Sequence, residues 1–349
     1  MRRIVQTELD LTRFQSLTVT AISFHSLLTD SKILSTFMSA SSISLSGAKI
    51  LVTGASGFIG HHLCQKLQQS QAEVYGVSRV YRESSAAIRW LQGDVANFEE
   101  MRRVVTQVKP DVIFHLAGHV TGARGIDAVL STLQGNLVST VNLLTLMAEL
   151  GGRRIVLAGS LEEPDAGETL VPSSPYAAAK WSSSAYAQMF QQLYQLPIVR
   201  TRLFLVYGPA QMNFDKLIPY VTLSLLRGEV PKLSSGQRQV DWIYVEDVVD
   251  GLIAAAQMPG IEGEMFDLGS GTLTSISSVV QHLTQLIDPR IQPVFGALND
   301  RPMEQVRVAH LEASNTKLGW QPNVSLEQGL IKTVEWYSHY YSKSECCKR

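Results

Sequence analysis

The sequence predicts an α/β fold: a doubly wound parallel sheet, followed by a smaller C-terminal α+β lobe. Two patterns predict it. From Ala48 to about Leu203, short runs of apolar and β-branched residues alternate with helical stretches, as a parallel sheet covered on both faces requires. The first run also leads straight into glycines spaced three apart, the mark of a tight strand-to-helix turn.

The elements follow in order. Lys49–Thr53 reads as a buried strand, Gly54–Gly60 as the turn and Ile59–Gln69 as a helix. Glu73–Ser78 and Ile88–Gln92 are the next two strands, with a helix near Phe98–Val108. Asp111–Ala117 is a fourth strand, Asp127–Leu150 a long helix and Arg154–Ala158 a fifth strand. A helix over Pro175–Tyr194 and a strand over Ile198–Leu203 complete this part. Beyond Gly208-Pro209 the alternation breaks. There the patterns predict helices near Lys216–Arg227, Val245–Gln257, Ser275–Ile287 and Leu326–Tyr340, with strands near Gln239–Tyr244 and Glu264–Leu268.

Residues 47–208 are accordingly expected to form a nucleotide-binding (Rossmann) domain. Residues 209–342 are expected to form the second lobe, some of whose elements return to the main sheet. Residues 343–349 are a tail. Residues 1–46 are rich in Ser and Thr but carry Glu8, Asp10 and Asp30, and are read as an extension outside the fold: disordered, targeting, or upstream of a start at Met38.

Composition narrows the function. Of 349 residues, 45% are apolar and 17% charged, enough for a large core and too apolar for wholesale disorder. The net charge is −1 with no basic run, so nucleic acid is not an expected partner. No run of 18 apolar residues predicts a membrane span. Cys64, Cys346 and Cys347 do not make a disulfide framework, which suits a reducing, cytoplasmic setting. No His/Cys/Asp cluster has metal-ligand spacing.

In Gly54-Ala55-Ser56-Gly57-Phe58-Ile59-Gly60, Gly54 permits the sharp turn and Gly57 lets the backbone approach a pyrophosphate at the helix N-terminus. Gly60 lets that helix pack closely on the strand. The expected ligand is a dinucleotide, NAD(P). The second strand ends in Ser78-Arg79, with Arg82 nearby, where NAD enzymes usually place a carboxylate. Arginine can pair with a 2′-phosphate, so NADP is favoured, unless Arg79 is only a solvated charge. Asp94 is a candidate acceptor for the adenine amino group; the alternative is a helix cap.

Tyr176 and Lys180 lie four apart at the start of a helix and so share a face. A lysine beside a phenol is expected to lower its pKa and make it an acid/base. Ser160, at the end of the preceding strand, can hydrogen-bond the reacting oxygen.

With these residues in view, the sequence resembles the extended short-chain dehydrogenases/reductases of the NAD-dependent epimerase/dehydratase group. The resemblance runs from about Lys49 to Tyr340. It rests on Gly54–Gly60, Asp94, His115-Leu116-Ala117, Asn136, Ser160, Tyr176 with Lys180, Tyr207-Gly208-Pro209, Asp241-Trp242 with Val245 and Asp247, and Leu318-Gly319-Trp320 with Pro322. It implies an enzyme that moves hydride between a sugar carbon and the nicotinamide. Tyr176 would exchange the hydroxyl proton, Lys180 hold the ribose and Ser160 steady the oxygen. Leu116 and Ala117 join the glycine turn, with Ser56, Phe58 and Ile59, as cofactor contacts. It also implies a nucleotide-sugar substrate and a candidate homodimer through the helices near 127–150 and 175–194.

Departures from the group are equally informative. Glu162, two after Ser160, matches a glutamate that serves family dehydratases and decarboxylases as base; the other reading is a loop carboxylate. The acid of conventional 4,6-dehydratases is replaced by Leu161, and the usual Val-Tyr-Gly by Glu163-Pro164-Asp165. Leu205 replaces a substrate-contacting Asn, and Val240 a diphosphate-binding Arg. Arg238, on the same strand face as Val240, is a substitute candidate, and Arg301 matches a second family arginine; either is otherwise surface charge. His115 is read as packed rather than catalytic, and His119 is unassigned. The expected activity is that of an epimerase or 4-keto reductase on a nucleotide sugar. The alternatives are a reductase of a non-nucleotide carbonyl and a non-catalytic nucleotide-binding protein.

Overall fold

Strands β1 (Lys49–Thr53), β2 (Glu73–Ser78), β3 (Arg89–Gln92), β4 (Val112–His115), β5 (Arg154–Ser160), β6 (Ile198–Leu203) and β9 (Met265–Leu268) form one parallel sheet, in the order β3-β2-β1-β4-β5-β6-β9. The structure, a computed structural model, describes residues 43–151, 153–164 and 171–346. The expectations for residues 1–42, for Asp165 and for Cys347 lie outside the described residues. β1 and β4 are neighbours although β2 and β3 intervene in sequence, so the winding reverses between them. Ligands of such sheets bind beyond the carboxyl ends at that reversal. Register sets the ends: Thr53 and His115, which end β1 and β4, lie level with Leu157, and β5 and β6 run on together for three more residues to Ser160 and Leu203.

Helices cover both faces, and the strands are correspondingly buried in nearly continuous runs. One core packs Ile50, Val52, Phe114 and Val156 with Leu63 and Leu67 of α1 (Phe58–Gln69) and Val248 and Leu252 of α7 (Val245–Gln257). On the other face lie Leu51, Ile113 and Ile155, with α2 (Phe98–Val108), α4 (Ser139–Leu150) and α5 (Pro175–Tyr194). Asn97 caps α2 by accepting from Glu100 N at 3.1 Å, and its side-chain Nδ2 donates to Glu100 Oε1 at 3.1 Å. Ser174 caps α5 by accepting from Ala177 N at 3.1 Å, and Pro175 supplies a preset first turn.

The predicted helix over 127–150 is not uniform. It runs as α3 (Ala128–Thr132), a π-helical turn over Leu133–Val138, then α4. Hydroxyls explain the departure. Ser139 (3.2 Å), Thr140 (2.6 Å) and Ser183 (3.2 Å) all donate to the Asn136 carbonyl, and Thr132 donates to Ala128 O at 2.7 Å, in competition with the helical ladder.

In the C-terminal half, β7 (Leu205–Tyr207), β8 (Gln239–Tyr244) and β10 (Leu273–Ser275) make a small sheet in the order β10-β8-β7. It packs with α6 (Leu217–Leu226), α8 (Ile276–Ile287) and α10 (Leu326–Cys346) around Trp242, Tyr244, Val240 and Leu283. A further helix, α9 (Leu311–Leu318), lies between them in sequence. β9 returns to the large sheet beside β6, and α7 covers that sheet, so both halves build it. Among the described residues no helix is long and apolar enough to cross a membrane.

Buried aspartates tie the connections together. Asp241 accepts Ser270 N (2.6 Å), Ser270 Oγ (2.8 Å), Gly271 N (3.0 Å) and Ala309 N (2.9 Å). Asp247 accepts Asn323 N (3.1 Å) and Val324 N (3.0 Å). Removing such a carboxylate leaves several buried donors unsatisfied. Asp241→Ala is therefore expected to lower the unfolding free energy by on the order of 3 kcal/mol, as read from urea midpoints at unchanged m-value.

Candidate active site

The glycine turn behaves as its spacing requires. Gly54 has φ +73°, and a Cβ there would stand 2.7 Å from Ala117 N, so the loop after β4 closes directly on the turn. A Cβ on Gly60 would overlap the Gly54 carbonyl oxygen, so only glycine lets α1 start this close to β1. Gly57 stands at the N-cap of α1 with no side-chain cap and no acidic residue in the first turn. The N–H groups of the first turn, at Phe58 and Ile59, lack a side-chain acceptor, and Ser56 and Gly57 are exposed. These features fit a dinucleotide pyrophosphate. Leu116 and Ala117 sit against the turn, their amides held by Thr53 O and Thr53 Oγ1, each at 3.2 Å.

Asp94 is not the cap of α2; that is Asn97. Its Oδ1 accepts Ala96 N at 2.9 Å, and with Ala96, Asn97, Phe98, Gln134 and Val138 it lines a cavity of about 420 Å³. Arg79 is exposed at the end of β2. Arg82 leans over Trp90 at 5.1 Å and reaches Ser78 Oγ at 3.3 Å, so both cations stand beside that strand end.

At the end of β5, Ser160 stands beside the Tyr176 phenol, on which it acts electrostatically, and its Oγ accepts Glu162 N at 3.2 Å. Lys180, buried one turn along α5, donates to Ala158 O at 2.7 Å. Its neighbourhood includes Gly118 and Asn136, whose Oδ1 is buried and unpartnered. The three residues therefore converge, but their electrostatics differ from the sequence expectation. Burial pushes the Tyr176 phenol up to about 12, Ser160 opposes that, and the charges of Glu163 and Glu162 add to it. The Lys180 ammonium is turned to the Ala158 carbonyl. Lys180 itself is held down to about 8 by burial, against the opposing charge of Glu163. His115 is locked between Thr53 Oγ1 (2.7 Å) and Thr140 Oγ1 (3.1 Å), and burial, then the charge of Lys180, depress it to about 3, so it stays neutral as a packing residue.

Towards the small sheet, Glu162 accepts Ser173 Oγ at 2.9 Å and lies 3.8 Å from Arg238. Arg238 also pairs with Glu304 at 3.1 Å and donates to Gln305 O at 2.8 Å from Nη2. Val240 is part of the core of the small sheet. The Arg301 guanidinium packs where a side chain on Gly122 would go. Sequence reasoning missed two groups. Lys216, at the N-cap of α6, is more than half buried; burial and the charge of Arg301 lower it while Glu162 opposes. Glu163 is almost wholly buried beside Ser160. Lys216 had a weak signal, a lysine opening a helix just after Tyr207-Gly208-Pro209; Glu163 had a stronger one, as an acid in a run the family fills with apolar residues. Among the described residues no group of three or more His, Cys, Asp or Glu side chains could hold a metal.

A model of the NAD dependent epimerase/dehydratase family matches residues 50–269. The chain belongs to this family. A UDP-glucose 4-epimerase of Mycolicibacterium smegmatis is 29% identical, over 83% of this chain and 98% of its own length. A dTDP-glucose 4,6-dehydratase of Escherichia coli is 31% identical, over 83% and 92%. Among solved structures, the UDP-glucose 4-epimerase of Thermotoga maritima with UDP-glucose superposes with a TM-score of 0.76 at 27% identity, covering 84% of this chain and 99% of the other. The UDP-glucuronic acid 4-epimerase of Bacillus cereus, in complex with UDP-glucuronic acid and NAD, gives 0.74 at 25% identity, covering 84% and 99%. An enzyme of this epimerase/dehydratase family, with NAD as the family's cofactor, is thereby established.

Lys180 carries its proton below about pH 8 and loses it above. Affinity for NAD(P)H in fluorescence titrations is expected to weaken as pH rises through that value, and Lys180→Met to remove the dependence.

Proposed function

We propose that the chain transfers hydride at a carbon of a nucleotide-linked sugar, acting as a 4-keto reductase that uses NADPH. The observation that carries this reading is the convergence of Ser160 and the Tyr176 phenol beside buried Lys180, at the carboxyl edge where the glycine turn would hold the dinucleotide. When bound, the dinucleotide would supply or take the hydride. The chain's own residues do the rest: Tyr176 gives the proton to the nascent hydroxyl, Ser160 fixes the oxygen, and Lys180 holds the nicotinamide ribose. Tyr176, held protonated at neutral pH, is in the form that reduction needs. Arg79 and Arg82 support a 2′-phosphate reader, and Asp94 in its cavity an adenine contact. Arg238, Arg301 and Lys216 would face the substrate diphosphate, with Glu162 between them as a further acid/base. Residues 47–208 would carry the cofactor and 209–342 the substrate. Cys64, free and buried, suits a reducing, cytoplasmic setting.

A second reading, an epimerase that recycles NAD, is favoured by the 4-epimerase activity of the relatives at 29% and 27% identity. A 4,6-dehydratase is disfavoured because Leu161 is buried in the core and offers no acid. Sugar-nucleotide activities among the relatives likewise disfavour a non-nucleotide carbonyl, and the assembled trio a pure binder.

The chain from Met38, presented with NADPH or NADH and a panel of UDP-, GDP-, CDP- and dTDP-linked 4-keto sugars, is expected to oxidise NADPH with one of them. Arg79→Ala should erode the preference for NADPH at least about tenfold, and Tyr176→Phe should abolish turnover while sparing cofactor binding. Sugar interconversion with tightly bound NAD and no net oxidation would establish the epimerase reading and overturn the role given to Arg79.

We further propose a homodimer through α3, α4 and α5, where Val129, Leu130, Leu133, Tyr186 and Leu193 are exposed apolar residues. Sedimentation should show a dimer, and Leu130→Asp with Leu193→Asp should yield monomers; a monomeric unaltered chain would end this proposal.

A further inference from the structure

An ionisable acid stands in the core directly behind the reacting groups, at a place the family fills with the valine of its Val-Tyr-Gly run. Glu163 is 3% exposed. Burial pushes the Glu163 carboxyl up from the usual carboxylate range, and the Ser184 and Ser160 hydrogen bonds, then the charges of Lys180 and Arg202, oppose that and favour the carboxylate. The partners are specific. One oxygen accepts Ser160 N at 2.7 Å and the other accepts Ser184 Oγ, from α5, at 2.6 Å. Glu163 N donates to Ser160 O at 3.1 Å, so residues 160–163 close into a ring around Ser160. Arg307 clamps that ring from outside through Leu161 O (2.9 Å) and Glu163 O (2.6 Å). Gly159 makes the seat possible, because a Cβ there would collide with the carboxylate.

The charges facing Glu163 come from several elements. Lys180 and the Tyr176 phenol stand on α5, Arg200 and Arg202 on β6, and Glu162 beside it in the loop; Arg202 is itself paired with Asp267 of β9 at 3.6 Å. The negative charge acting on Lys180 is that of Glu163. An apolar residue would fill the space but could neither accept the Ser160 amide nor face the ammonium.

We propose that Glu163 is a positioning residue for the hydride-transfer site: its carboxylate fixes the Ser160 backbone and is the buried counter-charge to Lys180. This rests on the reading of Ser160, Tyr176 and Lys180 given above. With Ser160 N donating to Glu163 and Ser160 Oγ accepting Glu162 N, the single serine hydroxyl proton is left free for the substrate oxygen.

Glu163→Gln isolates the charge, because the amide keeps an acceptor for Ser160 N and a group for Ser184. Two readouts are measured on the full chain. In NADPH fluorescence titrations from pH 6.5 to 9.5, the midpoint at which affinity falls is expected to move towards acid by about half a pH unit or more, since Lys180 loses its counter-charge. In turnover, kcat is expected to fall about tenfold with KM within about twofold. A binding midpoint and kcat superposable on the unaltered protein would overturn the proposal and leave Glu163 a packing residue. Should Glu163→Gln not fold, Ser184→Ala keeps the charge but removes its hydrogen-bond donor, and should move the same midpoint in the same direction by less; an unmoved midpoint overturns the proposal. If no nucleotide sugar is turned over, the proposed function falls, while the binding midpoint still decides the role of Glu163.

Discussion

The site depends on one constraint, the hydrogen-bond register of the parallel sheet. Thr53, His115 and Leu157 lie side by side because β1, β4 and β5 pair in step; β1 and β4 end there, and β5 runs on three residues to Ser160. From that common edge the glycine turn, the Leu116-Ala117 loop and Ser160 all open towards one space. A slip of one residue in any strand would turn its buried side chains to the opposite face and remove one wall. Both cores therefore maintain the site, although few of their side chains would touch a ligand.

On this scaffold the polar groups are arranged by backbone as much as by each other. Lys180 is held by a strand carbonyl, Ser160 by its own loop and Tyr176 by a capped first helical turn. The free protein stores the phenol in its neutral form and the amine near its titration point. Burial dominates both, with opposite consequences for an acid and a base: each group is pushed towards its uncharged state. Glu163 resists this for Lys180 and reinforces it for Tyr176, so a single carboxylate tilts the pair.

Much of this was legible in the sequence. Continuous apolar runs located most strands of the main sheet, and the approximate bounds expected for α2, α5, α7, β6 and β8 agree with the structure, helped at α2 and α5 by the capping residues Asn97 and Ser174. β7 and β10, three residues each, are too short to show a period, and α9 (LEASNTKL) is too polar to show an amphipathic one. The π-helical turn was invisible because it arises from hydroxyls of two separate helices meeting at one carbonyl. The trio of Ser160, Tyr176 and Lys180 was legible from spacing. Its ionisation was not, since that depends on which carbonyl Lys180 meets and how deep Tyr176 lies. Glu163 was visible as an oddity in the loop, but nothing local said that it points inward.

Asp241 has a consequence for how the chain could be cut. Its carboxylate gathers β8, the Ser270-Gly271 turn and Ala309, which are separated by up to 68 residues in sequence. The stretch 296–303 between the last two is largely exposed. A protease nick there would break the polymer without freeing either piece, since both sides of the cut remain fastened to one buried charge. The two fragments would then travel as one particle until denaturant dissolves that anchor.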